Sequence, residues 1–159
     1  MHGILIVGGG PAGLRSAELL SKSGWLVKLI EEHKQIGKPT VCSGLISKNG
    51  LVKSGVFGKV NRAMLNRING ARLYSPYGCV IEIYKRNVAF VYDRAKFDSF
   101  LAEEAERAGV EILKETRLMS INNNNIFVKR KNRGELYKAD VIVGADGVTS
   151  TTRHLIGYK

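Results

Sequence analysis

Ile4-Leu5-Ile6-Val7-Gly8-Gly9-Gly10-Pro11-Ala12-Gly13 decides the reading of this chain, because an apolar run, a glycine turn and a helix start follow one another without a spare residue. Ile4 to Val7 supply a buried strand. Gly8 permits the tight turn, Gly10 lets the backbone approach a pyrophosphate, and Gly13 lets the next helix pack closely on the strand. Pro11 suits a first helical turn, where its fixed φ is already correct and its missing N–H is no loss. A helix end carries about half a positive charge and each favourable charge contact is worth roughly 0.3–1 kcal/mol, so converging amides hold a pyrophosphate without a lysine. The loop contains none. Gly8, Gly10, Pro11, Ala12 and Gly13 are the expected phosphate-side residues.

After the turn, Leu14, Ala17 and Leu20 recur at helical spacing, and Gly24 closes the helix before a second strand at Leu26-Val27-Lys28-Leu29-Ile30. Glu31 lies at that strand's carboxyl end, where an acid accepts hydrogen bonds from ribose hydroxyls and repels a 2′-phosphate. The segment is a dinucleotide-binding βαβ unit, suited to FAD or NAD over NADP.

At 159 residues and 44% hydrophobic content, a single domain spanning 1–159 is expected, with room for at most a small incomplete appendage. No apolar stretch approaches a membrane span and no charged leader precedes the first strand, so the expected setting is the cytoplasm. Cys42 and Cys79 lack CxxC spacing and His2, His33 and His154 are scattered, so neither a disulfide framework nor a metal site is expected. GxSxG and GxxxxGK[ST] are both missing, which removes the usual warrants for a serine hydrolase or a P-loop ATPase.

The net charge of +11 is unevenly placed: no Asp or Glu occurs from His33 through Ile81, a stretch holding eight Lys and Arg. Two readings stay open. The segment is either a solvated basic face or a surface that attracts phosphates of a cofactor or lipid head group, with peripheral membrane contact as the corollary. No nucleic-acid-binding signature accompanies the charge, so nucleic acid is not an expected partner.

Further along, Gln35 to Ser47 reads as a loop beside the nucleotide site, and Lys48–Leu65 as weakly helical. Ala71–Ser75, Val80–Tyr84 and Val88–Tyr92 read as three short strands divided by Pro76-Tyr77-Gly78 and Lys85-Arg86-Asn87, an inserted antiparallel meander. Tyr74, Tyr84 and Tyr92 either line a ligand cavity or pack. Asp93 caps a helix over Ala95–Ala108, Val110–Leu113 is the next parallel strand, and a second small meander precedes Val141-Ile142-Val143.

Beyond Gly8–Glu31, three further stretches carry a family resemblance: Ile36-Gly37-Lys38-Pro39-Thr40-Val41-Cys42-Ser43-Gly44-Leu45-Ile46-Ser47, Tyr92-Asp93-Arg94-Ala95-Lys96-Phe97-Asp98, and Gly144-Ala145-Asp146-Gly147 with Ser150 and Arg153. Together they resemble the FAD-dependent geranylgeranyl reductases. The resemblance implies an α/β fold: a Rossmann-like FAD-binding three-layer domain with a parallel sheet and inserted antiparallel β meanders. Substrate-domain strands would be partly present at 70–92. It further implies FAD as cofactor and a second cofactor contact at Ala145, Asp146 and Gly147. Arg94 falls at a cofactor-side position, although an ordinary helix-start ion pair would look identical in sequence. Cys42 falls in a loop near flavin and substrate and is the candidate catalytic residue, its alternative being a small buried hydrophobe.

Members of that family continue into another Gly-Asp motif and a substrate region, so the chain resembles an amino-terminal portion lacking the carboxyl-terminal part. A complementary carboxyl-terminal chain is the partner this raises. The implied activity is reduction of isoprenoid C=C bonds in lipids by hydride from reduced flavin. The alternatives are a non-catalytic nucleotide-binding remnant and a fragment of an FAD-dependent aromatic hydroxylase.

Overall fold

Backbone hydrogen bonding in the computed structural model, which describes residues 3–158, arranges the chain in the order β1 (Ile4–Val7), α1 (Pro11–Lys22), β2 (Val27–Ile30), β3 (Leu45–Ser47) and α2 (Lys48–Lys53). Two long strands follow, β4 (Met64–Tyr74) and β5 (Val80–Tyr92), then α3 (Arg94–Arg107) and β6 (Glu111–Leu113). The remainder is β7 (Thr116–Asn122), β8 (Asn125–Arg130), β9 (Arg133–Lys138), β10 (Val141–Gly144) and α4 (Thr151–Leu155). Length and composition suggest one domain; the chain divides into two compact units, Met1–Pro39 with Asp98–Lys159, and Thr40–Phe97.

The first unit is built on a four-stranded parallel sheet in the order β10-β1-β2-β6. Its inner strands β1 and β2 are short and almost wholly apolar, as burial on both faces demands, while β10 and β6 form the more exposed edges. Leu5 and Val7 join Ile30 and Leu113 in a core shared with Leu118, Ile126 and Val128 of the antiparallel sheet β7-β8-β9. Alternation along β1 turns Ile4 and Ile6 to the opposite face, where α1 buries Gly13, Leu14 and Ala17. The result is the three-layer arrangement: helix, parallel sheet, antiparallel meander. Ser21 Oγ donates to the Ala108 carbonyl at 2.6 Å, tying the end of α1 to the turn after α3.

Glu18 is 2% exposed on α1, and the periodicity gives no hint of it. Burial pushes its carboxyl pKa upward, but hydrogen bonds and charge from Lys22 and Arg15 outweigh this and hold it below its ordinary 4.5. Two cations thereby keep an ionised carboxylate inside the first unit; removal of either leaves it undercompensated.

The second unit is a three-stranded antiparallel sheet, β3-β5-β4. The region expected to be weakly helical contains the short α2 and one turn of 3-10 helix at Asn61–Ala63 before β4 begins, as read. One sequence expectation is corrected here. Lys85-Arg86-Asn87 divides nothing, because β5 runs through it and a register shift opposite, between Ile68 and Gly70, absorbs the irregularity. Asn87 sits at φ 52° and its N–H donates to Asn69 Oδ1 at 2.8 Å, so the polar residues form a bulge in place of a turn.

Tyr92 resolves to packing: its ring lies among Phe90 and Phe97 at centroid distances of 6.4 and 5.3 Å, and burial raises its phenol pKa. Its hydroxyl has no hydrogen-bond partner among the described residues. Tyr74 and Tyr84 are exposed. Among the described residues, no helix is long and apolar enough to cross a membrane. His2, counted among the scattered histidines, lies outside the described residues.

Candidate functional site

Strand order locates the site. From β1 the chain moves through α1 to β2 on one side, while β10 arrives on the other, so the topology reverses between β1 and β10. Ligands of open α/β sheets sit beyond the carboxyl ends of the strands at such a reversal. Val7 pairs with Gly144 as the last rung of the β1–β10 ladder. The next residues on the two strands, Gly8 and Ala145, therefore meet there although 137 positions separate them in sequence.

Their contact is backbone to backbone. The Ala145 N–H donates to the Val7 carbonyl at 2.8 Å and the Gly8 N–H to the Ile30 carbonyl at 2.9 Å. Gly8 has φ 110°, and a Cβ there would lie 2.4 Å from the Ala145 oxygen, so glycine is required twice over. At Gly13 a Cβ would lie 2.0 Å from the Gly8 oxygen, which is how closely α1 is drawn onto the turn.

Gly10 is the helix N-cap, with no side chain capping it and no acid in the first turn of α1. A Cβ at Gly10 would meet nothing within 4 Å. The helix end thus combines uncapped amides, positive end charge and open space, the combination a diphosphate needs.

Glu31 is fixed from both directions. Its N–H donates to the Leu113 carbonyl at 2.9 Å and its carbonyl accepts from Thr116 at 2.8 Å, anchoring the end of β2 between β6 and β7. Its carboxylate accepts the Gly9 N–H at 2.7 Å, and its other oxygen accepts the His33 N–H at 2.8 Å and lies 2.6 Å from His33 Nδ1. A carboxylate offers about four acceptor sites, so capacity for a sugar hydroxyl remains. Gly9 and His33 were not singled out in the sequence as site residues. The middle glycine of Gly8-Gly9-Gly10 was the available signal for the first of them: a Cβ at Gly9 would lie 3.0 Å from Glu31 Oε2 and 2.6 Å from Ile36 Cδ1.

Asp146 follows Ala145 into the same crevice, but its carboxylate turns toward α4. It accepts from Ser150 Oγ at 2.6 Å, from the Thr152 N–H at 2.9 Å and from Thr152 Oγ1 at 3.1 Å. Ser150 in turn caps α4 by accepting the Arg153 N–H at 2.9 Å. Partial burial pushes the Asp146 pKa up; the Ser150 and Thr152 hydrogen bonds outweigh it and hold the pKa below the ordinary 3.8. Gly147 follows at φ 80°, a turn position.

A depressed folded pKa contributes stability that is fully present above the unfolded value and is lost as pH falls through the folded one. Asp146→Asn is expected to lower stability at pH 7 by about 1.5–3 kcal/mol, the scale of hydrogen bonds to a charged group. The difference from wild type should narrow as pH drops below 3.8. Thermal unfolding of both proteins across pH 2–7 checks this; a pH-independent gap contradicts it.

Cys42 and Arg94 belong to the second unit. Cys42 is exposed and its sulfur accepts the Gly44 N–H at 3.5 Å, which removes the reading of a small buried hydrophobe. Arg94 opens α3 and is half-buried.

Residues 3–148 match the family of FAD dependent oxidoreductases. The digeranylgeranylglycerophospholipid reductase of Methanosarcina acetivorans is 34% identical over 94% of this chain, which spans 39% of that protein's length. An uncharacterized protein in the nifH2 5′ region of Methanosarcina barkeri is 30% identical over 94% of this chain and 84% of its own length. The crystal structure of a geranylgeranyl bacteriochlorophyll reductase-like protein from Thermoplasma acidophilum superposes with a TM-score of 0.86 at 27% identity, covering 98% of this chain and 42% of the other. The match runs from the first strand through the Ala145-Asp146 turn and so takes in both halves of the crevice. The glycine turn is therefore no isolated motif, and the chain belongs to the FAD dependent oxidoreductases.

Proposed function

We propose that this chain is the nucleotide-holding part of a reductase that saturates carbon–carbon double bonds of isoprenoid lipids. The observation that carries the substrate class is the 34% identity, across 94% of the chain, with a protein named for a digeranylgeranylated glycerophospholipid. Bound at the Gly10 end of α1, Glu31 and the Ala145–Gly147 turn, reduced FAD would supply the hydride that, together with a proton, saturates the double bond.

The protein's own part is placement. The Gly10 end of α1 holds the diphosphate, Glu31 holds the adenosine ribose with Gly9 and His33 fixing its carboxylate, and the Ala145–Gly147 turn lies against the same cofactor. Arg94 contributes a cofactor-side charge and Cys42 is the candidate for contact with the reacting groups. The acid-free basic segment from Lys34 to Arg72 receives the phosphate of the lipid head group and brings the protein to an anionic membrane surface.

The test loads the purified chain with FAD, reduces it without oxygen and adds a geranylgeranylated phospholipid. Flavin reoxidation matched by a gain of two hydrogens per double bond, read by mass spectrometry, is expected. Bound, reducible flavin that leaves the lipid unchanged identifies a nucleotide-binding module without the reaction, and an oxygen-dependent hydroxylated product identifies a monooxygenase.

A further inference from the structure

The turn after β2 crowds the carboxylate that this site offers to a sugar. A carboxylate has two oxygens with about four acceptor positions between them, and it donates nothing. Glu31 Oε1 takes two hydrogens from a single residue. One comes from the His33 N–H at 2.8 Å; the other comes from the imidazole, whose Nδ1 stands 2.6 Å away and carries the hydrogen because its partner only accepts. Oε2 takes the Gly9 N–H at 2.7 Å. The position left open is on Oε2.

His33 is held for this contact. Its N–H is fixed on Glu31 and its carbonyl accepts the Glu115 N–H at 3.2 Å, so the imidazole starts from a backbone pinned on both sides. The Glu31 side chain is 13% exposed, so protein donors more than bulk water decide which of its acceptor positions stay open. Glu32, the adjacent acid, pairs with Arg117 at 3.6 Å, which leaves Glu31 as the carboxylate of this turn that meets the glycines.

An adenosine ribose presents two neighbouring hydroxyls, and a carboxylate with both oxygens open accepts from both. We infer that His33 is a specificity-determining residue: by filling Oε1 it restricts Glu31 to one ribose hydroxyl, so the site reads a single hydroxyl and not the pair. The inference rests on the placement of the ribose at Glu31 proposed above, and adds which part of the sugar is read and what sets it.

The experiment measures binding of ADP, 2′-deoxy-ADP and 3′-deoxy-ADP to the full chain by titration calorimetry. Wild type should bind one deoxy analogue about tenfold or more weaker than ADP, the loss of a hydrogen bond to a charged group, and the other within about twofold. His33→Ala opens Oε1, so both analogues should then fall about tenfold or more below ADP. His33→Asn, which returns an amide N–H near the place of the imidazole N–H, should restore the single-hydroxyl pattern. A merely structural role for His33 would weaken all three ligands alike and leave their ratios unmoved. Wild type that loses affinity equally for both analogues, or ratios unchanged in His33→Ala, overturns the role of His33 while leaving the ribose at Glu31. Tight ADP binding with neither analogue weakened overturns the ribose placement itself, and failure of wild type to bind ADP overturns the nucleotide site.

Discussion

Gly13→Ala should both destabilise the first unit and weaken FAD binding about a hundredfold, whereas Gly10→Ala should weaken FAD binding comparably with almost no loss of stability. At Gly13 the new methyl carbon would stand 2.0 Å from the Gly8 carbonyl oxygen and 3.3 Å from Ala145 Cβ. Neither Gly8 nor Ala145 can yield freely, since Gly8 is bonded to Ile30 and Ala145 to Val7. The helix must move outward, an overpacking cost of about 1–3 kcal/mol. A displacement of about 1 Å in groups that position a ligand is enough for roughly a hundredfold loss. At Gly10 the same methyl meets nothing within 4 Å and the backbone, at φ −79°, accepts any residue. Its only victim is a ligand in the space it fills. Thermal melts and FAD titrations of the two variants check the contrast; equal stability losses, or FAD binding retained by Gly10→Ala, would contradict it.

Glu31→Ala should lower FAD affinity by about ten- to a hundredfold, as expected when a hydrogen-bonded charged partner worth roughly 1.5–3 kcal/mol is removed. The carboxylate is the acceptor for the Gly9 N–H, so its loss also frees the middle of the glycine turn. Glu31→Gln separates the two roles. The amide keeps an oxygen for Gly9 but no longer repels a 2′-phosphate, so binding of adenosine 2′-phosphate derivatives should rise relative to their unphosphorylated counterparts. Competition of each nucleotide against FAD measures this; an unchanged preference would place the ribose elsewhere.

What the sequence disclosed was local. Ile4 to Gly13 and Glu31 were readable because strand, turn, helix start and strand end each depend on residues a few positions apart. The second meander was readable for the same reason: its turns are Asn123-Asn124, inside the Asn122–Asn125 run, and Lys131-Asn132, at the edge of Asn132-Arg133-Gly134, whose last two residues already belong to β9. Lys85-Arg86-Asn87 has the composition of a turn too, but its conformation is set by Asn69, eighteen residues away, and by the partner strand.

The partners of Asp146 show a similar limit. Sequence placed it beside a cofactor; only the fold shows its carboxylate spent on Ser150 and Thr152, so the crevice is lined there by the Ala145–Asp146 turn more than by a free acid. Gly9 and His33 escaped notice because their significance lies in where the Glu31 carboxylate points.

The crevice beyond β1 and β10 should take the adenosine diphosphate half of the flavin nucleotide. Flavin fluorescence titrations with FAD and with FMN, each repeated in the presence of ADP, test it directly. Binding of FAD that ADP displaces, with FMN binding far more weakly, is the predicted result. FMN bound as tightly as FAD, or FAD bound without competition from ADP, would contradict it.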